Sequence, residues 1–116
     1  MRAAWVVPVC FLLAVACQKR HDAVLGKPPK GEPHSILSVQ AGTTPPQVTV
    51  SGTMIEKCPV AGCWFRLRDS TGVIKVDTKS AGFVVVNVPL ESRVTVAGKV
   101  VAEGDDVVIE ATGVRF

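Results

Sequence analysis

Cys58 and Cys63 enclose Pro59-Val60-Ala61-Gly62, and a pair of thiols at that spacing supports three chemistries. They can close a disulfide that staples a short loop, hold a soft ion such as Cu(I) between two thiolates, or exchange electrons as a redox pair. A structural zinc site wants four ligands, and the chain from Val48 onward offers these two Cys and no His. The next residues, Trp64-Phe65-Arg66-Leu67-Arg68, alternate, so in a strand Trp64, Arg66 and Arg68 share one face and Phe65 and Leu67 the other. An aromatic beside two guanidinium groups is suited to stacking on and gripping an extended anionic polymer. The bland reading is a solvated face with Trp64 covered by a neighbouring segment, and it is preferred. Glu103, Asp105 and Asp106 could bind a cation, but Gly104-Asp105-Asp106 first supplies turn chemistry. His21 and His34 both precede the segments that read as strands, so no Ser-His-Asp or Cys-His arrangement is expected, and the chain is read as non-enzymatic.

These residues need a scaffold, and 116 residues supply one small domain. The net charge of +3 is carried by the N-terminal part, because residues 48–116 hold eight Lys or Arg against eight Asp or Glu. A nucleic-acid binder concentrates positive charge on its folded domain, so nucleic acid is not an expected partner and a monomer is.

The beginning of the chain bears on location. Arg2 is followed by an uncharged run from Ala3 to Cys17, too short for the roughly 20 residues of a membrane-spanning helix. It reads as an export signal over residues 1–16, with small residues at Ala14 and Ala16 before Cys17. Leu13-Ala14-Val15-Ala16-Cys17 resembles the lipobox of bacterial lipoproteins, although Leu13 stands one place farther from the Cys than is commonest. The resemblance implies that Cys17 is lipidated and becomes the first mature residue of a lipoprotein facing the periplasm. The membrane, through that anchor, is then one partner, and an envelope protein another. Export also makes the disulfide the leading expectation for Cys58 and Cys63, with Cu(I) as the cofactor if they bind metal.

Residues 17–47 contain Lys27-Pro28-Pro29-Lys30-Gly31-Glu32-Pro33 and Thr43-Thr44-Pro45-Pro46, the composition of a flexible tether. Within it, Ile36-Leu37-Ser38-Val39 is an apolar patch able to dock on the domain as a turn or strand. The domain, 48–116, is expected to be all-β. Strands are read at 48–55, 63–69, 73–77, 93–101 and 107–114, with a buried apolar segment at 83–89 and at most a turn or two of helix near Lys79–Gly82 or Leu90–Ser92. Val48-Thr49-Val50-Ser51-Gly52 is echoed by Val94-Thr95-Val96-Ala97-Gly98, each Gly marking a bend. Meander, insertion and hairpin in that order describe a five-stranded OB-fold-like barrel, whose first loop would carry the Cys pair.

Gly52, Cys58 and Gly62-Cys63-Trp64, followed by an alternating strand to Asp69 and a turn at Gly72, resemble a family of small exported bacterial OB-fold-like proteins, many of them lipoproteins, with no assigned function. The Cys-x4-Cys-Trp motif is its specific part. The resemblance implies fold and address and brings no catalytic residue with it.

Overall fold

The computed structural model describes residues 23–116; the export signal expected over 1–16 and the lipidation expected at Cys17 lie outside the described residues. Six strands are present: β1 Val24–Gly26, β2 Gln47–Lys57, β3 Trp64–Arg68, β4 Val73–Asp77, β5 Arg93–Glu103 and β6 Asp106–Arg115. One helical turn, α1 Ile36–Gln40, precedes β2, and a 3-10 turn spans Lys79–Ala81.

The last five strands close on themselves. β2 pairs antiparallel with β3 and β5, β3 with β4, and β5 with β6, while β4 and β6 complete the ring in parallel, with Val76 opposite Ile109. A closed ring of five strands, its seam a parallel pair, is the expected OB-like barrel, and closure leaves no open edge among them. Alternation fills the interior: Val50, Met54, Phe65, Leu67, Ile74, Val76, Val94, Val96 and Ile109 are at or near zero exposure.

The two glycines of the sequence echo have a steric task. A Cβ at Gly52 would run into the carbonyl oxygen of Arg68, and one at Gly98 into that of Glu110. The β5–β6 register slips between Ala97 and Gly98, the local irregularity by which a long strand bends around a small barrel.

The tether expected over 17–47 is corrected from Ala23 onward, because that stretch is folded against the barrel. β1 pairs with the end of β6, Val24 opposite Arg115, and Ala23 and Phe116 exchange backbone hydrogen bonds of 3.0 and 2.9 Å. Farther along, the His34 N–H donates to the Thr49 carbonyl at 2.7 Å. The apolar patch docks as α1, capped by Ser35, whose hydroxyl accepts from the Ser38 N–H, and it buries Ile36 and Val39 completely. Prolines suit such a segment, since it crosses the barrel without belonging to a continuous ladder.

Residues 83–89 are likewise not uniformly buried. They form no strand; the Val88 N–H turns back to the Val85 carbonyl, burying those two side chains and leaving Val84 and Val86 exposed.

Strand direction sorts the loops between two ends. The 58–63 loop, the 78–92 segment, Ala23 and Phe116 lie toward one end; the 69–72 and 104–105 turns lie toward the other, with α1 held beside the first of them.

Candidate functional site

The first loop begins where the β2–β3 ladder ends. Lys57 faces Phe65, and one further bond, from the Cys58 N–H to the Trp64 carbonyl at 3.0 Å, holds the two exits together. The loop then turns on itself, the Gly62 N–H reaching the Cys58 carbonyl at 3.2 Å. Gly62 has φ +64°, and a Cβ there would stand 2.8 Å from the Val86 nitrogen. Glycine is required both by the left-handed backbone and by this close approach. Two bonds lock the loop to its surroundings, Val85 N–H to the Gly62 carbonyl at 2.8 Å and Thr78 N–H to the Cys63 carbonyl at 2.9 Å.

Cys58 and Cys63 stand as half-buried thiols at the two ends of the loop. A tight turn crowded against the 83–89 segment fixes the backbone between them. The backbone N–H groups of Ala61 and Val60, helped by those of Gly62 and Cys63, bring the Cys58 thiol from an ordinary 9.0 to about 7 against a small opposing effect of burial. Backbone amides that stabilise a sulfur in this way act as an anion nest does, favouring thiolate over thiol.

The second constellation is assembled in part. Trp64 and Arg66 lie on the outer face, as alternation requires, and the indole is also approached by Lys75 of β4, the register partner of Arg66. The Arg66 guanidinium carbon is 5.8 Å and the Lys75 Nζ 5.7 Å from the ring centroid, both within cation–π range. Each cation is also paired with a carboxylate, Arg66 with Glu56 at 2.9 Å and Lys75 with Glu103 at 3.3 Å. The face is therefore charge-balanced. Arg68 lies at the far end of β3, opposite Val73 and away from Trp64.

Glu103, Asp105 and Asp106 form the β5–β6 hairpin with Gly104 at φ +64°. Among the described residues no three His, Cys, Asp or Glu side chains are gathered as a metal site. Sequence reading missed a cavity of about 710 Å³ between the start of β5 and the end of β6, lined by Asn87, Pro89, Arg93, Thr95, Arg115 and Phe116 among others. Its two arginines are 22 positions apart and are joined only by the pairing of Thr95 with Arg115, which leaves no local signal.

The barrel and its loops are similar to the solved structure of the hypothetical protein ygiW from E. coli, with a TM-score of 0.56 and 19% identity over 76% of this chain and 94% of that one. At that identity the likeness shows the fold, a small OB-like barrel. No family model matches the chain, and no curated protein matches it.

Proposed function

We propose that this protein is a membrane-anchored lipoprotein of the bacterial cell envelope, held through Cys17, whose barrel is a non-enzymatic binding module for a soft metal ion, Cu(I), at Cys58 and Cys63. The observation that carries the metal reading is the loop itself: two cysteines at the ends of one hydrogen-bonded turn, with neighbouring backbone amides lowering the pKa of the first. Two thiolates match the softness and low coordination number of Cu(I), and each sulfur gives up its proton as the metal is taken. The address rests on the uncharged run, the Ala14-Val15-Ala16-Cys17 end and its resemblance to a lipobox.

A second reading, a periplasmic thiol-redox enzyme, is favoured by the lowered pKa of the Cys58 thiol. Cys58 would attack a partner's disulfide, releasing one partner sulfur as thiolate, and Cys63 would then displace the other, leaving the Cys58–Cys63 disulfide and a reduced partner. The third, an oligonucleotide- or oligosaccharide-binding module using Trp64, Arg66 and Arg68, is weakened by the carboxylates already paired with Arg66 and Lys75.

Competition of reduced protein against a chromophoric Cu(I) chelator tests the first reading. One ion per chain, lost in Cys58→Ser and in Cys63→Ser, is expected; equal uptake by the double variant overturns it. Equilibration with glutathione disulfide that traps a mixed disulfide at Cys58 favours the redox enzyme instead. The mass of the mature protein and the fractionation of Cys17→Ser test the anchor, since a processed, membrane-bound variant would remove it.

A further inference from the structure

We propose that the barrel end carrying the 58–63 loop and the 78–92 segment docks on the lipid bilayer. The inference rests on the anchoring of Cys17 and goes beyond it, because an anchor alone leaves the orientation of the domain open.

Chain length supplies the first argument. Only Gln18 to Asp22 separate Cys17 from Ala23, which is already hydrogen-bonded to Phe116. Six steps of extended chain reach about 20 Å at most. A thirty-residue tether would let the domain stand clear of the membrane, whereas this length holds the Ala23–Phe116 end beside the headgroups. Confinement of that kind makes even a weak surface affinity effective.

The second argument is what that end presents. Seven large apolar side chains are exposed among the described residues, and Val24, Val60, Val84, Val86 and Leu90 stand toward this end; Leu37 and Val73 stand at the other. Val60, at the tip of the Cys loop, is 89% exposed, and Val86 and Leu90 are 55% and 50% exposed. Apolar loop tips clustered at one end mark an interaction surface. Single side chains of this size suit the interfacial zone of a bilayer, where they gain apolar contact without carrying the backbone into hydrocarbon.

Charge favours an anionic surface. Arg93 and Arg115 line the cavity at this end, and Lys79 is exposed on the adjoining segment. Arg115 donates one Nη2 bond to the Pro29 carbonyl, at 2.9 Å. On the acidic side are Glu91, exposed, and Asp77, whose carboxylate accepts from the Lys79 N–H at 2.8 Å. Lys57 is directed inward onto the carbonyls of Val86 and Val88. The cations therefore exceed the free carboxylates on the face that the short linker turns to the membrane.

Depth-dependent fluorescence quenching tests this with the mature protein purified from membranes. The protein is reconstituted into phosphatidylethanolamine–phosphatidylglycerol vesicles containing lipids brominated near the headgroup. In protein whose mass shows that residues 1–16, and Trp5 with them, have been removed, Trp64→Phe supplies a silent background, into which Leu90→Trp, Val86→Trp or Leu37→Trp is introduced, with circular dichroism to establish folding. Leu90→Trp and Val86→Trp should be quenched severalfold more than Leu37→Trp. Equal quenching at both ends in protein whose mass shows acylated Cys17 overturns the docking and leaves the anchor standing. A mature mass without acyl chains overturns the anchor and, with it, the docking. Reporters shielded in native membranes but unquenched in pure lipid point to a protein partner and also overturn the proposal.

Discussion

Val50 and Val96 face each other in the middle of the β2–β5 ladder, both without exposed surface, and the paired strands are symmetric about them: Gly52 lies opposite Val94 and Gly98 opposite Val48. The repeated Val-Thr-Val-x-Gly is thus a local two-fold, each glycine receiving a third strand that presses its carbonyl where a side chain would otherwise stand. Gly98→Val should lower the melting temperature, at a cost of about 1–3 kcal/mol for overpacking a filled site, whereas Gly72→Ala, whose Cβ would meet only side-chain atoms at 3.4 Å, should cost less. Thermal denaturation of the two variants side by side measures the difference, and an unchanged Gly98→Val would leave the echo without a structural role.

The anion nest predicts a pH profile. Cys58 titrates at about 7, so its alkylation by iodoacetamide should rise through half its maximum near pH 7 and level off above pH 8. Gly62→Ala should push that midpoint up toward the ordinary thiol range, because the added Cβ meets Val86 and pulls the amides away from the sulfur. Mass spectrometry of labelled peptides follows the reaction, and a Cys58→Ser variant identifies its source.

Asp69 joins α1 to the barrel. Burial acts to raise its carboxyl, but donation from the Thr71 hydroxyl and the N–H groups of Ile36, Thr71 and Gly72 outweighs it and holds the group below the usual carboxylate range. The folded value is depressed, so this stabilisation is fully present above the unfolded carboxylate value of about 4 and is lost as pH falls through the lower folded one. Asp69→Ala should cost about 1–3 kcal/mol at pH 7 by leaving donors unpaired. Denaturant titrations at pH 7 and pH 3 should show a smaller acid loss in the variant than in the parent.

The Trp64 face predicts a gain on removing charge. With Glu56→Gln and Glu103→Gln together, Arg66 and Lys75 lose their carboxylates, and binding of an anionic polymer such as oligo-dT should strengthen severalfold at low salt and weaken as salt rises. Stability should change little, since exposed ion pairs contribute about 0–1 kcal/mol each. Polymer binding read from Trp64 emission that is the same in parent and variant would show that the carboxylates do not govern this face.

The barrel was legible because its strands alternate and are punctuated by glycine: 73–77 was read to the residue, the others to within a few, and the short helical turn fell where Lys79–Ala81 lies. Cys58, Cys63 and Trp64 were found by type and spacing. Residues 23–47 were misread as a tether because their order comes from partners distant in sequence. β1 has three residues, too few for alternation to register, and Ile36 and Val39 span one turn, too short for a helical period. Their folding depends on Phe116, Thr49 and Asp69, and no local pattern announces those.

Ala23 and Phe116 meet, and so residues 23–116, like the sheet they build, are nearly a ring. A permuted gene for residues 23–116 that joins Phe116 to Ala23 and opens the chain between Gly104 and Asp105 would keep every strand pairing while moving both termini of that segment to the opposite pole. Carrying its attachment point there, the same barrel would hang upside down from whatever holds it. Under the proposed anchoring, fold and orientation are separately encoded: the strands determine the first, and the place where the ring is cut determines the second.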